Sequence, residues 1–142
     1  MKKLILPLLI LVIALGTFSC SKDQAIVKKL SKGEWEVTEQ TINGMNMPDS
    51  VFSSTTYMFE ECKVKKGACD GTYTTEDPNK GTVESSFTYS ISDKGERITL
   101  TLDFFGLPVI EQYDILEHSD DRFVWYAEDE DGNEIETTIE KI

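Results

Sequence analysis

The sequence is poor in the residue types that most catalytic and metal sites use. Its 142 residues include one histidine and three cysteines, with no Cys-x-x-Cys spacing. A hydrolytic triad needs a base held between a nucleophile and an orienting group, and a zinc site needs several sulfur or imidazole ligands. The single histidine, His118, lies in a segment of turn-forming residues, 118–121. We therefore expect no enzyme, no metal and no cofactor.

Long apolar runs are also scarce, and the one at the start of the chain is too short to span a membrane. Residues 4–16 form a mostly apolar stretch of 13 positions, preceded by Lys2 and Lys3. A transmembrane helix needs about 20 such residues, whereas a charged start with a shorter apolar stretch is typical of a secretory signal. We expect residues 1–19 to be a signal peptide that is removed.

The end of this signal, Thr17-Phe18-Ser19-Cys20, resembles the lipobox of bacterial lipoproteins. There a small residue precedes the cysteine that is acylated and becomes the new N-terminus. The resemblance implies a lipid on Cys20, a tether over residues 20–32, and a membrane partner held through that lipid. Since Ser21 does not resemble an inner-membrane retention signal, we expect the cell envelope at the outer membrane, on its periplasmic or its external face. An ordinary cleavage site that leaves Cys20 free is the alternative.

Basic residues are few relative to acids. Without Lys2 and Lys3 the chain keeps 12 basic against 26 acidic side chains, a net charge of −14. So negative a surface repels nucleic acid and favours a cationic partner. A solvated surface that keeps a tethered domain soluble explains the same excess.

Cys62 and Cys69 remain as a pair once Cys20 is acylated. An even pair in an exported protein favours a disulfide. The two cysteines flank the glycine-containing loop 63–68, between two predicted strands. Opposed positions of a hairpin come within disulfide reach, so we expect the cysteines to face each other there.

In one further segment, the acidic and amide residues are spaced like the ligands of a metal-binding loop. Residues 129–140 match a calcium-binding loop at positions one, three, five and twelve, but position six is Glu134 instead of glycine. The flanking segments are predicted strands and not helices. A β-hairpin turn explains the same residues, and we expect that.

After the tether, apolar and polar residues alternate with period two, which predicts strands. In the clearest case Phe87, Tyr89 and Ile91 share one face. No helical periodicity interrupts the pattern, so a meander of antiparallel strands is expected. The predicted strands are 34–38, 54–62, 69–75, 82–92, 97–102, 109–117, 122–127 and 134–142.

Eight strands linked by hairpins leave two unpaired edges unless the sheet closes on itself. We therefore predict an all-β fold, an eight-stranded antiparallel up-and-down barrel. A two-sheet sandwich is the alternative.

The chain resembles the lipocalin-like domains of exported bacterial lipoproteins, within the calycin group. The likeness rests on the lipobox, the helix-like tether, the Gly-x-Trp opening at Gly33-Glu34-Trp35 and the meander that follows, and it covers residues 28–142. It implies a lipocalin-like β-barrel domain over 33–142, in which Trp35 closes one end. The last strand lacks the arginine often found over that tryptophan, so ligand type does not carry over.

The inward-facing residues have two interpretations. They line a cavity for a small hydrophobic ligand, capped by the loop Met45–Met47 and by Phe104 and Phe105, or they fill the barrel. In the second case the chain would be an acidic protein-binding module, such as an inhibitor of a cationic host enzyme. The predicted ligand-binding residues are Tyr57, Phe59, Tyr73, Phe87, Tyr89, Leu100, Tyr113, Phe123 and Trp125.

Overall fold

A computed structural model describes residues 21–51, 54–77, 79–104 and 106–142, apart from the side chain of Phe104. The predicted signal peptide, Cys20 and the expected cap residue Phe105 lie outside these residues. No helix among the described residues is long and apolar enough to cross a membrane.

The described residues form one α-helix, nine strands and two single-turn 3₁₀ helices, Asp49–Val51 and Val64–Lys66. The helix, α1, covers residues 21–30. It buries Ile26, Val27 and Leu30, which lie on one face because helical residues three or four apart are neighbours. The strands are β1 (Glu34–Ile42), β2 (Met45–Asn46), β3 (Thr56–Phe59), β4 (Cys69–Asp77), β5 (Gly81–Ser92), β6 (Arg97–Phe104), β7 (Leu107–His118), β8 (Arg122–Glu128) and β9 (Glu134–Lys141).

Strand β1 closes the sheet because it pairs with β3 along one edge and with β9 along the other. Its residues Glu34–Glu36 pair with β3, and its residues Trp35–Ile42 pair with β9. Every other neighbour along the chain from β3 to β9 is also paired antiparallel, while β2 only extends β1 as a short hairpin. The eight strands β1 and β3–β9 form a closed up-and-down barrel, as predicted, and the sandwich alternative is wrong.

Two β-bulges interrupt the regular alternation of the barrel. The register shifts in β1 between Val37 and Glu39, and in β7 between Ile115 and Glu117. A bulge adds one unpaired residue and increases the local twist, which helps a sheet to curl until its edges meet. Beyond each bulge the inward and outward faces exchange positions, and this exchange determines which side chains of β1 enter the barrel.

The helix end of the barrel is built from α1 and three connections: the β5–β6 turn, the β7–β8 turn and the loop between β3 and β4, which is described below. Asp23 Oδ1 accepts a hydrogen bond from the Gly95 backbone N–H at 2.6 Å, in the turn between β5 and β6. Lys29 pairs with Asp120 at 3.8 Å, between β7 and β8. Turns 43–44 and 129–133 meet at the opposite, far end, where Asn43 Nδ2 donates to Asn133 Oδ1 at 2.9 Å.

Trp35 lies between α1 and the interior. It is fully buried, and its Nε1–H donates to the Leu30 carbonyl at 2.7 Å. Its ring meets Phe123 edge to face at 5.2 Å between centroids. Since an indole has one polar atom, this arrangement buries the whole side chain without an unpaired group.

The predicted disulfide is present, but its geometry differs from the expected one. Cys62 and Cys69 are bonded, with a Cα separation of 5.4 Å. Strand β3 ends at Phe59, so Cys62 lies in the loop and not opposite Cys69 in the ladder. The side chain of Gln24 ties this loop to α1, since its Nε2 donates to the Cys62 carbonyl at 2.7 Å and its Oε1 accepts from the Val64 N–H at 3.1 Å. The disulfide loop therefore forms part of the helix end.

We expect Gly71→Ala to destabilise the barrel by about 1–3 kcal/mol, because the position has no room for a methyl group. A Cβ at Gly71 would lie 2.8 Å from the Met58 carbonyl oxygen and against the Phe87 ring. The matched control is Gly33→Ala, whose Cβ would meet only the flexible side chain of Lys141. Urea unfolding curves measure both changes, and equal midpoints for the two variants would contradict the packing described here.

Candidate functional site

The interior of the barrel is filled at the helix end and hollow toward the far end. At the helix end, the ring of Phe59 lies 5.1 Å from Tyr89 and 5.4 Å from Phe87, both edge to face. Such contacts are the favourable geometry for aromatic pairs and leave little free space. A cavity of about 190 Å³, called the barrel cavity below, is lined by Val37, Gln40, Val51, Thr55, Tyr57, Leu100, Tyr113, Trp125 and Thr137.

The predicted ligand-binding residues divide into two groups. Tyr57, Leu100, Tyr113 and Trp125 line the barrel cavity. The other five are not among its lining residues and belong to the hydrophobic core or pack against it; they are Phe59, Tyr73, Phe87, Tyr89 and Phe123. Four of the nine predicted residues thus line free space, and the other five contribute to the packing of the interior.

Of the expected cap residues, neither Met45 nor Met47 lines the barrel cavity, and the side chains of Phe104 and Phe105 lie outside the described structure. Met47 packs against the core, but Met45 lies in β2 with 69% of its surface exposed. The connection between β2 and β3 instead contributes Val51 and Thr55 to the cavity wall.

Three polar lining residues, Gln40, Thr55 and Thr137, were missed by the sequence analysis. Gln40 and Thr137 pair across β1 and β9, and Gln40 Nε2 donates to Thr137 Oγ1 at 3.2 Å. Gln40 faces inward because the bulge after Val37 reverses the alternation beyond it. Strict period-two alternation carries no signal for such a reversal.

A carboxylate lies beside the tyrosines of the barrel cavity. The Tyr113 hydroxyl donates to Glu111 Oε2 at 2.7 Å. Burial, and secondarily the charge of Glu111, raises the pKa of Tyr57 to about 12 and raises the pKa of Tyr113 as well. Both phenols are therefore neutral at physiological pH, and the local charge on this side of the cavity is negative.

Trp125 has a buried donor without an acceptor. Only 2% of its surface is exposed, and its Nε1 has no hydrogen-bond partner among the described residues. Its ring packs 5.7 Å from Tyr113 and 6.3 Å from Tyr57, between centroids. Buried donors are almost always paired, so this one requires an explanation.

His118 is the last residue of β7 and pairs with Phe123 of β8, so it lies in a strand and not in the expected turn. Its Nδ1 lies 3.3 Å from Lys29 Nζ, and partial burial together with that ammonium lowers the pKa of the imidazole. The neighbouring Ser119 hydroxyl accepts from the Arg122 backbone N–H at 3.0 Å, which fixes the turn between β7 and β8. These contacts stabilise the turn between β7 and β8.

The segment that resembles a calcium loop forms a hairpin turn. Asp129 Oδ1 accepts from the backbone N–H groups of Asp131 and Asn133 at 2.9 and 2.8 Å. These bonds, with one from the Asn133 side chain, lower the pKa of Asp129. Across the part of the chain that the structure describes, no three His, Cys, Asp or Glu residues are grouped to hold a metal ion.

Comparison with known proteins gives a consistent result. A family model described as a lipocalin-like domain matches residues 32–125. A lipocalin-like protein from Bacteroides uniformis has a similar structure, with a TM-score of 0.57 and 16% identity, covering 80% of this chain and 99% of that one. No curated protein matches the sequence.

Two further solved structures show similar folds. A redesigned β-barrel has a TM-score of 0.52 at 15% identity, covering 82% of this chain and 95% of that one. Bovine odorant binding protein, in complex with a selenium-containing odorant, has a TM-score of 0.50 at 16% identity. The match covers 82% of this chain and 72% of that one.

The two buried tryptophans predict different effects of the same substitution. Trp35→Phe and Trp125→Phe remove the same ring volume, but Trp35→Phe also breaks a hydrogen bond to the Leu30 carbonyl. Trp125→Phe instead removes a donor that has no described partner. We expect Trp35→Phe to reduce the free energy of unfolding by about 1–3 kcal/mol more than Trp125→Phe. If urea unfolding shows that both variants lose the same free energy of unfolding, the Trp125 indole is paired in solution.

Proposed function

Because the chain belongs to the lipocalin-like domain family, we propose that it is a binding protein that holds one small hydrophobic ligand in the barrel cavity. The observation that carries the proposal is a hollow of about 190 Å³ lined by Val37, Leu100 and three aromatic side chains. Binding sites for small molecules combine apolar walls with a few placed polar groups. Here six of the nine lining side chains are apolar or aromatic, and Gln40, Thr55, Thr137 and the two tyrosines give the wall a substantial polar part.

The volume limits the ligand. A 190 Å³ hollow lies below the range of about 300–1,000 Å³ that drug-sized ligands occupy. It exceeds the roughly 150 Å³ of an apolar protein cavity that binds benzene. The expected ligand is therefore a single substituted ring or a chain of similar volume, and a long fatty acid exceeds the space.

The comparison structures support this assignment at the level of the fold. The complex of bovine odorant binding protein with an odorant is an example of a small molecule bound by a similar fold. With 16% identity, that likeness supports the type of site and not the identity of the ligand.

We further propose that the protein is anchored at the outer membrane through a lipid on Cys20. Residue 21, which follows this cysteine in the sequence, belongs to α1, and the side chains of Asp23 and Gln24 are bonded to the helix end of the barrel. An anchor at Cys20 would hold the helix end near the membrane and point the far end away from it. Two or three acyl chains are enough for stable attachment.

The proposed ligand site predicts a thermal shift with a small apolar probe. Toluene at about ten times its Kd adds about 1.4 kcal/mol to the free energy of unfolding, which corresponds to a rise in Tm of roughly 3–6 °C for a domain of this size. Palmitate at the same concentration is expected to leave Tm unchanged. Scanning calorimetry measures both, and a Tm unaffected by toluene would contradict the ligand-binding proposal.

The proposed anchor predicts a mass change. Protein extracted from the membranes of a bacterial host is expected to begin at Cys20 and to carry the added mass of its acyl chains. Cys20→Ser is expected to move the protein out of the membrane fraction. Intact-mass spectrometry and fractionation decide the point, and a mature chain with an unmodified Cys20 would refute the anchor.

A further inference from the structure

The basic side chains of this acidic protein are concentrated at the helix end. We propose that the helix end binds a membrane surface that contains anionic phospholipids, and that lysines on both sides of α1 contact the lipid headgroups. The inference rests on the proposed anchor at Cys20 for its setting, because that anchor brings the helix end to a membrane.

Two shallow concavities flank α1, and lysines line both of them. The concavity toward the disulfide loop is lined by Lys28, Lys63, Lys65 and Lys66. The concavity toward the β5–β6 turn is lined by Lys22, Lys29 and Lys94. Each also contains one acid, Glu61 in the first and Glu96 in the second. These seven lysines, called the α1 lysines below, therefore outnumber the acids among them.

Most of the α1 lysines are not neutralised by the protein. Lys29 pairs with Asp120 at 3.8 Å, but the other six form no ion pair with any described acid. Basic residues at the neighbouring strand ends differ. Arg97 pairs with Asp114 at 3.0 Å, and Lys141 pairs with Asp121 at the same distance. The charge beside α1 thus remains available to an external anion.

The fold holds the lysines of the disulfide loop next to the helix. The bond between Cys62 and Cys69 closes this loop, and the Gln24 side chain joins it to α1 through two hydrogen bonds. Within the loop, Val64–Lys66 form a 3₁₀ turn. Because the backbone is fixed in this way, the ammonium groups stay near one another, and an anionic surface would offset their mutual repulsion.

The distribution of charge over the whole chain points in the same direction. Residues 21–142 contain 12 basic and 26 acidic side chains. Eleven of the 12 basic ones lie in α1 or the segment after it, in a helix-end connection, or at a strand end that adjoins one. The exception is Lys80, in the far-end turn between β4 and β5. The far-end turn 129–133 contains three acids and no basic residue.

The acids of the far end are too distant to prevent binding at the helix end. Strand β5 has 12 residues, which at about 3.3 Å per residue and a tilt of about 40° separate the two ends by roughly 30 Å. Salt at physiological concentration screens charges beyond about 8 Å. The net charge of the chain therefore does not exclude an anionic partner at the helix end.

A membrane surface fits this arrangement because the cations lie on both sides of a helix and not around one pocket. Each ammonium is a compact point charge that suits a headgroup phosphate. Leu116, which lines the concavity toward the β5–β6 turn, is 52% exposed and supplies apolar area beside the lysines. Surface binding to anionic lipid increases with both contributions. Cys20 directly precedes α1 in the sequence, so its proposed acyl chains would insert next to the same lysines.

The test is vesicle binding by a chain that has no lipid, residues 20–142 with Cys20→Ser. Vesicles of equal parts phosphatidylglycerol and phosphatidylcholine are compared with vesicles of phosphatidylcholine alone by co-sedimentation. A lysine near an anionic surface strengthens binding about fivefold, or about 1 kcal/mol, so four lysines in contact give half-binding at about 1 mM lipid. We expect no binding to phosphatidylcholine, and loss of binding between about 0.05 and 0.5 M NaCl. So weak an interaction does not retain Cys20→Ser in a washed membrane fraction.

Single substitutions in this chain assign the binding to the α1 lysines. Lys65→Gln is expected to weaken binding to the anionic vesicles about fivefold. The matched control is Lys80→Gln, which makes the same change of net charge at the far end and should leave binding unchanged. Both side chains are exposed, so both variants are expected to fold.

A second pair of variants predicts a gain of binding, which a failure to fold cannot produce. Glu61→Gln removes the acid from the concavity toward the disulfide loop and is expected to strengthen binding about fivefold. Its control is Glu130→Gln, in the far-end turn, which should have no effect. Binding that followed net charge alone would change equally in both.

A further measurement needs no substitution among the lysines. Nanodiscs that contain phosphatidylglycerol and a gadolinium-bearing lipid broaden the backbone amide signals of residues close to the bilayer. We expect broadening at residues 63–66 and none at residues 129–133. The opposite pattern would show that the far end meets the membrane and would overturn the inference.

The outcomes distinguish this inference from the proposed anchor. An exported chain that is acylated at Cys20, but whose Cys20→Ser form does not bind the anionic vesicles, would confirm the anchor and overturn the inference. An unmodified Cys20 together with binding to the anionic vesicles would do the reverse. Equal effects within either pair of variants, or equal binding to phosphatidylcholine, would also overturn it. Tighter binding to soluble polyglutamate than to the vesicles would identify an acidic protein as the partner instead.

Discussion

The structure depends on the pairing of one strand with two partners. Strand β1 is bonded to β3 through its first residues and to β9 over most of its length. Without the second pairing, β1 and β9 would each expose a row of unpaired backbone groups, and the interior would lack part of its wall. The barrel cavity is lined by Val37 and Gln40 from β1 and by Thr137 from β9. It therefore exists only because these two strands meet.

The interior combines two arrangements that are usually treated as alternatives. Near α1, aromatic rings fill the barrel. There the indole N–H of Trp35 is paired with the Leu30 carbonyl, which stabilises the fold. Toward the far end, the packing leaves a hollow, a carboxylate beside a phenol, and an indole donor without a partner.

The sequence predicted the barrel because period-two alternation and hairpin spacing depend on local chemistry. Phe87, Tyr89 and Ile91 are buried as expected. The disulfide between Cys62 and Cys69, predicted from the even number of cysteines left after Cys20, is confirmed. The details that failed depend on non-local geometry. The bulge after Val37 turned Gln40 inward, and the early end of β3 moved Cys62 out of the ladder.

The candidate site was predicted only in outline for the same reason. Aromatic residues that alternate along a strand identify an inner face, but they do not show where rings pack against each other and where they stand apart. The division between Phe59, which meets two rings edge to face, and Trp125, which lines free space, arises from the register of several strands at once. The unpaired state of the Trp125 indole is likewise a property of the assembled barrel.

The attachment of α1 has a consequence for the kinetics of exchange. Asp23 and Gln24 bond the helix to two different connections, and Leu30 and Trp35 fill the space beneath it. A molecule in the hollow would therefore be screened from that side. Its exchange would then depend on the far end of the barrel, and two chains with identical interiors but different far ends could hold the same molecule equally tightly for very different periods.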